Sequence, residues 1–175
     1  MQYKIQFILL KPELYDTYIE IGTKAYNQHY THLWPYGDTS TYIENSFTKE
    51  VLLHEEKDKN TLLYIIKTDT KYIGILKITL HKKIQGYDKT EALYLDKIYI
   101  LNEFSGKGIG TKSLEFVEKI ARANSKKAIF LEAMQKGSAL HFYQSNSFGI
   151  VASTQVPFSN VIEKEKPMYL LKKDL

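Results

Sequence analysis

The chain has 175 residues, of which 43% are hydrophobic and 25% charged, and 24 basic against 20 acidic residues give a formal net charge of +4 at pH 7. This length fits one domain with a substantial core, and the composition excludes an intrinsically disordered chain. The positive excess is too small to indicate nucleic-acid binding by itself. We therefore expect a single domain over residues 1–175 that binds no nucleic acid.

The sequence contains no cysteine, which excludes disulfides, thiolate nucleophiles and cysteine-ligated metal sites. The first apolar run, residues 5–10, is shorter than a secretory signal or a membrane span, and no later run approaches membrane length. His29 and His32 lie close together, but two histidines without a third ligand do not indicate a metal. We expect a cytoplasmic protein with no membrane association and no metal.

Hydrophobic periodicity predicts alternating strands and helices with an irregular aromatic stretch near the start. Pro12 fits the first turn of a helix, the sequence THLWPYG at residues 31–37 predicts a loop, and Gly108 opens the helix with the clearest apolar face. Strands are predicted at residues 3–10, 62–68, 72–80, 92–101, 127–133, 148–156 and 166–171, and helices at residues 12–26, 40–47, 51–54, 108–124 and 138–145. This order predicts an α/β fold whose central sheet of about seven strands is mixed, mostly antiparallel and flanked by helices on both faces.

A glycine-rich segment follows the fourth predicted strand and places Gly106, Gly108 and Gly110 at a helix start. Glycines let the backbone approach a phosphate, and the free N–H groups and dipole of a helix N-terminus attract negative charge. A Walker A loop needs a glycine where Thr111 stands, and a dinucleotide fingerprint needs GxGxxG where this chain has GxGxG. The segment indicates an anion site, with a glycine-rich turn that binds nothing as the alternative.

The same segment resembles the pyrophosphate loop of the GCN5-related N-acetyltransferase (GNAT) superfamily, whose motif is Q/R-x-x-G-x-G/A. Residues 105–110, SGKGIG, match both glycine positions and have Ser105 in place of Gln or Arg. Residues 139–149, ALHFYQSNSFG, resemble the family segment A-x-x-x-Y-x-x-x-G-F with the last two residues exchanged, and Lys136 stands where the family usually has Asn. The order of elements agrees, and the IYI strand resembles the PaiA-type spermidine/spermine N-acetyltransferases.

The resemblance implies acetyl-CoA as co-substrate. The glycine segment would hold its pyrophosphate, the main chain of Ile98 and Ile100 would pair with pantetheine as an added strand, and Phe142 would pack along the arm. The implied coenzyme A contacts are Ile98, Tyr99, Ile100, Ser105, Gly106, Lys107, Gly108, Ile109, Gly110, Thr111, Lys136, Phe142 and Tyr143.

Acetyl transfer to an amine requires an uncharged amine and an acid beside the departing thiolate. A primary amine has a pKa of about 10, so a base is expected on the acceptor side. The resemblance implies Tyr143 as general acid and Asp96 as candidate general base, with Glu132 in reserve. The alternative for Tyr143 is an aromatic residue of the core. The alternative for Asp96 is a strand carboxylate paired with a lysine. Without cysteine, transfer is direct within a ternary complex.

Aromatic residues crowd the connection between the first two helices, which the resemblance implies to be a wall of the acceptor pocket. Aromatic faces and carboxylates attract cations. The candidate substrate-binding residues are therefore Tyr26, Tyr30, Trp34, Tyr36 and Glu132. The alternative for the aromatic rings is that they only pack a helix against the sheet. The expected partner is a small-molecule amine, either a polyamine or another, and a homodimer is left open. Two further functions remain: a non-catalytic acyl-CoA-binding regulatory domain, and a nucleotide triphosphatase.

Overall fold

The computed structural model describes residues 4–175, and its seven strands form one sheet in the order β1-β2-β3-β4-β5-β7-β6. Tyr3, at the start of the first predicted strand, lies outside the described residues. The strands are β1 (Gln6–Leu9), β2 (Thr61–Lys67), β3 (Tyr72–Thr79), β4 (Ala92–Ile100), β5 (Ala128–Met134), β6 (Gly149–Gln155) and β7 (Pro167–Asp174). The helices are α1 (Tyr15–Tyr30), α2 (Ser40–Ser46), α3 (Lys49–Lys57), α4 (Ile109–Ala123) and α5 (Ser138–Ser145).

Strands β4 and β5 are parallel to each other, and all the other neighbouring pairs in the sheet are antiparallel. Helix α4 connects these two parallel strands, as a parallel pair requires a crossover connection. The mixed, mostly antiparallel sheet of about seven strands that the sequence predicts is thereby confirmed.

Each face of the sheet has its own apolar core. On one face, Leu114, Val117 and Ala121 of α4 lie at helical spacing and pack with buried residues of β3, β4 and β5. On the other face, Tyr18 of α1 and Leu52 of α3 pack with buried residues of β2 and β3. We call these the α4 face and the α1 face. Burying apolar surface on both sides of the sheet is the main stabilising term of this fold.

Two helices run beyond their predicted bounds, and one of them is α3, which spans Lys49–Lys57 rather than residues 51–54. Thr48 caps α3, since its Oγ1 accepts a hydrogen bond from the backbone N–H of Val51 at 3.2 Å. Helix α1 continues to Tyr30, four residues beyond the predicted end near Tyr26. The predicted end is too early because the apolar spacing that indicates the helix stops near Tyr26, where residues 27–29 are polar. Short 3-10 helices at Thr31–Leu33 and Pro35–Gly37 form the connection to α2.

Within residues 4–175, every helix is too short or too polar to cross a lipid bilayer.

Candidate active site

Strands β4 and β5 diverge after a short paired segment. Backbone pairing joins Ala92–Tyr94 to residues 128–130, although β4 continues to Ile100 and β5 to Met134. The backbone N–H of Leu101 donates to Ile73 O at 2.9 Å on β3. Because polar groups alternate sides along a strand, those of Ile98 and Ile100 face away from β3, into the gap. The divergence therefore leaves an open strand edge inside the protein.

A cavity of about 650 Å³ fills this gap. Its lining comes from β4, the glycine segment, the start of α4, the β5–α5 turn, α5, the end of α1 and the segment before β7. The lining residues include His29, Tyr30, Leu33, Ile98, Tyr99, Ile100, Ser105, Gly106, Gly108, Gly110, Thr111, Met134, Lys136, Phe142, Tyr143, Lys164 and Glu165. An extended ligand in this cavity would meet the open edge of β4 and the start of α4 together.

The glycine segment forms a backbone cradle at one end of the cavity. Gly106 and Gly108 have φ of +71° and +77°, a region that favours glycine, and a Cβ added to either would meet nothing within 4 Å. Gly108 precedes α4 without a side-chain cap, so the first N–H groups of the helix are available for an anion. The Ile109 side chain is buried and anchors the turn in the core.

Helix α5 packs against the start of α4 and carries two of the candidate residues. The Phe142 ring contacts Gly110 so closely that a Cβ there would lie 2.8 Å from its Cζ. Tyr143 lines the cavity, and its ring meets that of Phe148 edge-on at 5.9 Å. Burial raises the pKa of the Tyr143 hydroxyl well above its ordinary value, with a smaller contribution from Tyr30. Tyr143 therefore keeps its proton at neutral pH.

Comparison with known proteins agrees with this geometry. Residues 16–148 match the family described as "Acetyltransferase (GNAT) family". The chain belongs to the GNAT family of acetyltransferases. The match confirms the resemblance to the GNAT superfamily that the glycine segment and the order of elements indicated.

Several relatives share this GNAT fold. The PaiA N-acetyltransferase of Thermoplasma acidophilum, solved in complex with coenzyme A, is 20% identical with a TM-score of 0.75, covering 98% of this chain and 99% of that one. A GNAT acetyltransferase of Streptococcus pneumoniae is 19% identical with a TM-score of 0.71 and the same coverage. A GNAT acetyltransferase of Elizabethkingia anophelis, solved with acetyl-CoA bound, is 20% identical with a TM-score of 0.56, covering 73% and 84%.

One curated relative also matches. The protein named "Uncharacterized N-acetyltransferase in pepI 3'region" of Lactobacillus delbrueckii subsp. lactis is 25% identical over 109 residues. That alignment spans 62% of this chain and 63% of the relative's length.

The candidate base Asp96 lies at a β-bulge in this GNAT sheet. Lys77 pairs with Lys97 and Ile78 pairs with Leu95, so Asp96 is the extra residue of β4. Its carboxylate accepts a hydrogen bond from the Thr79 hydroxyl at 2.8 Å. Burial raises the pKa of Asp96, while lysines led by Lys77 and the Thr79 hydrogen bond oppose the rise. Asp96 lies outside the cavity lining.

The candidate acceptor residues fall into different environments. Tyr30 lines the cavity, and its ring lies 5.0 Å from that of Tyr26, which is buried behind it. Trp34 is buried in the α1-face core, where its Nε1 donates to the Tyr26 hydroxyl at 2.9 Å. Tyr36 is fully exposed, with φ of +57°. The Glu132 carboxylate accepts hydrogen bonds from the hydroxyls of Tyr94 and Thr154, each at 2.7 Å.

Lys136 and Ser105, which depart from the GNAT motifs, and the neighbouring Lys107 lie in different surroundings. Lys136 Nζ donates to Lys164 O at 2.8 Å and pairs with Glu165 at 3.6 Å, which joins the β5–α5 turn to the segment before β7. Ser105 lines the cavity without taking part in a helix. The ammonium of Lys107 lies 5.3 Å from the centre of the Phe104 ring.

Sequence reasoning missed several residues that line the cavity, namely His29, His32, Leu33 and Met134. His29 Nε2 donates to Ile100 O at 2.9 Å, so it contacts the open strand edge directly. Extending α1 by one turn would have revealed His29, since it follows the buried Gly22 and Tyr26 at helical spacing. Within residues 4–175, no group of three or more His, Asp or Glu side chains is placed to hold a metal ion.

Proposed function

We propose that this chain is an acetyl-CoA-dependent N-acetyltransferase that acetylates a primary amine by direct transfer in a ternary complex. The observation that carries the proposal is the meeting, in one cavity, of the open edge of β4, the glycine cradle and the Tyr143 hydroxyl. Membership of the GNAT family supports the same activity. In this reaction acetyl-CoA supplies the acetyl group and a thiol as leaving group.

The residues that are present fit coenzyme A. The open space at Gly106 and Gly108 and the uncapped N-terminus of α4 suit a pyrophosphate, which needs N–H donors and no obstructing side chain. The inward-facing N–H and C=O groups of Ile98 and Ile100 suit the amides of a pantetheine arm, which would add to β4 as a short strand. The main-chain atoms carry these contacts, so the replacement of Gln or Arg by Ser105 leaves them in place.

Tyr143 is the proposed proton donor. The amine nitrogen attacks the thioester carbonyl carbon, the C–S bond breaks, and the Tyr143 hydroxyl gives its proton to the sulfur. A raised pKa keeps this hydroxyl protonated before transfer. A proton donor placed at the leaving group contributes a factor of about 10²–10⁴ in rate.

Asp96 is the proposed final acceptor of the amine proton. Burial raises its pKa, which makes the ionised carboxylate a stronger base than an exposed aspartate. It stands three residues before Tyr99, about 10 Å along the strand at the usual rise. Because Asp96 is outside the cavity lining, the proton would reach it through water rather than by direct contact.

Two assays on the full chain test this proposal. Coenzyme A should raise the melting temperature, and acetyl-CoA with a suitable amine should release free thiol. Tyr143→Phe should reduce turnover by about 10²-fold or more and leave the coenzyme A shift unchanged, since no hydrogen bond ties the hydroxyl to the rest of the described chain. No shift at millimolar coenzyme A would contradict the proposal. Binding without turnover would favour the non-catalytic acyl-CoA-binding alternative.

A further inference from the structure

The charged side chains that line the cavity are mostly basic. Among the described lining residues, Lys136 and Lys164 are cationic and Glu165 is the one carboxylate. That carboxylate is paired with Lys136, and its side chain is 14% exposed. A ligand with several ammonium groups would therefore find no unpaired carboxylate among the described residues of the cavity wall.

The acceptor side of the cavity is mostly apolar and aromatic. Tyr30, Leu33, Tyr99 and Met134 form this part of the wall beside His29 and His32, and the rings of Tyr30 and Tyr99 lie 5.7 Å apart. The Tyr99 hydroxyl is already engaged, since it shares a 2.6 Å hydrogen bond with the Tyr42 hydroxyl. Such a surface suits an apolar or aromatic body rather than a chain of charged groups.

Behind this wall, the ammonium group of Lys97 lies over the rings of Tyr42 and Phe47. Lys97 Nζ lies 5.3 Å from the centre of the Tyr42 ring and 5.0 Å from that of Phe47. The Phe47 ring in turn meets Tyr99 edge-on at 6.4 Å. Burial, with help from nearby Lys77, lowers the pKa of Lys97 to about 8, so a second cation beside it would be disfavoured as well. The Tyr42 and Phe47 rings behind the wall thus already have a cation over them.

The carboxylates of Asp96, Glu132 and Glu55, which lie outside the cavity lining, also have internal partners. Asp96 accepts a hydrogen bond from Thr79 and is surrounded by lysines. Glu132 accepts hydrogen bonds through both oxygens. The Glu55 carboxylate is paired with Lys77 in a site where both side chains are mostly buried. An incoming ammonium would have to displace one of these partners, which is costly in a buried site.

We propose that the acceptor is a monoamine carried on an apolar or aromatic body, and that polyamines are poor substrates. This inference rests on the proposed function and narrows its substrate class. The reacting nitrogen enters beside Ile98 and Tyr143, and the body of the substrate packs against Tyr30, Leu33, Tyr99 and Met134.

The first test compares kcat/KM for acetyl-CoA-dependent thiol release with matched amines. Phenethylamine, tyramine and 3-methylbutylamine represent apolar monoamines, ethylamine has almost no apolar body, and putrescine and spermidine are polycations. We expect kcat/KM for at least one apolar monoamine to exceed that for spermidine by tenfold or more, and ethylamine to lie below the apolar monoamines. Equal or higher kcat/KM for spermidine overturns the inference.

A matched pair of variants tests the charge argument. Met134→Glu places a carboxylate on the acceptor wall, and Met134→Gln has the same shape without the charge. We expect Met134→Glu to raise the putrescine-to-phenethylamine ratio of kcat/KM at least fivefold over Met134→Gln. An unchanged ratio shows that wall charge does not select the acceptor and overturns the inference. Leu53→Ala, at an exposed position of α3, is the control and should leave the putrescine-to-phenethylamine ratio of kcat/KM unchanged.

Failure of the inference differs from failure of the proposed function. If coenzyme A does not stabilise the protein and no amine releases thiol, the proposed function fails and the inference fails with it. If coenzyme A binds and spermidine is the better acceptor, the function stands and the inference is wrong. If coenzyme A binds and polyamines alone are acetylated, the inference is likewise overturned.

Discussion

Gly108 and Gly86 form a matched pair that separates backbone strain from ligand binding. Their φ values are +77° and +82°, and a Cβ added to either would meet nothing within 4 Å. Gly108 lines the cavity at the start of α4, whereas Gly86 lies in the β3–β4 connection outside the cavity lining. Replacing each with alanine should therefore cost the same stability and differ only in the effect on coenzyme A.

The size of both effects follows from the geometry. A non-glycine residue in the left-handed region costs about 1–2 kcal/mol, so each variant should melt a few degrees lower, since about 1 kcal/mol lowers Tm by roughly 2–4 °C in a chain of this size. Coenzyme A at 100 times its Kd adds about 2.7 kcal/mol of stability. If the new methyl group at Gly108 weakens binding tenfold, it removes about 1.4 kcal/mol of that gain.

The assay is the melting temperature of wild type, Gly108→Ala and Gly86→Ala, with and without coenzyme A. We expect equal melting temperatures for the two variants without ligand. With ligand, Gly86→Ala should keep the wild-type shift and Gly108→Ala should show about half of it or less. Equal coenzyme A shifts for the two variants would refute the assignment of the glycine cradle to the pyrophosphate.

Asp96→Asn tests the proposed role of Asp96 as proton acceptor, and Trp34→Phe tests the contribution of Trp34 to the core. Burial raises the pKa of Asp96 in the folded state above its unfolded value of about 4. Wild type therefore loses stability as the pH rises from about 4 through the folded-state pKa. Asp96→Asn has no carboxyl group to titrate and does not lose this stability. The variant should gain stability relative to wild type between pH 4 and 7 in urea denaturation, and lose turnover. Trp34→Phe removes a buried hydrogen bond to Tyr26 and part of a buried ring, and should cost about 2–4 kcal/mol in urea denaturation.

Each of these expectations has a contrary result. An Asp96→Asn variant with full turnover would remove Asp96 from the proton path, and constant relative stability from pH 4 to 7 would contradict its raised pKa. A loss below about 0.5 kcal/mol in Trp34→Phe, the range of ordinary surface substitutions, would mean that Trp34 is not a core residue.

The fold was largely predictable because its signals are local. The clear apolar face of α4 and the alternation in the strands indicate these elements without knowledge of the tertiary structure. The end of α1 was not predictable in this way. Tyr26, His29 and Tyr30 continue the helix, but a run of aromatics followed by THLWPYG also fits a loop. Packing of Tyr26 on Tyr42, with ring centres 3.8 Å apart, stabilises the last turn of the helix.

The backbone geometry of the candidate site was predictable from the sequence. The glycine spacing indicates the cradle, because positive φ and the approach of an anion need glycine. The β-bulge at Asp96 has no such signal. It places the side chains of Asp96 and Lys97 on the same face, against the alternation that the sequence suggests. The burial of Trp34 depends on long-range contacts, including the Phe158 ring at 5.7 Å, which no local pattern reveals.

The most direct test of acetyl transfer is the ratio of free thiol released to acetylated amine formed, measured on the full chain with saturating acetyl-CoA. Thiol would be followed by a colorimetric reagent and the product amide by mass spectrometry. Direct transfer predicts a ratio of one, with thiol release that requires the amine. Thiol release that is independent of the amine, or none with any amine, would contradict the proposal that this chain is an N-acetyltransferase.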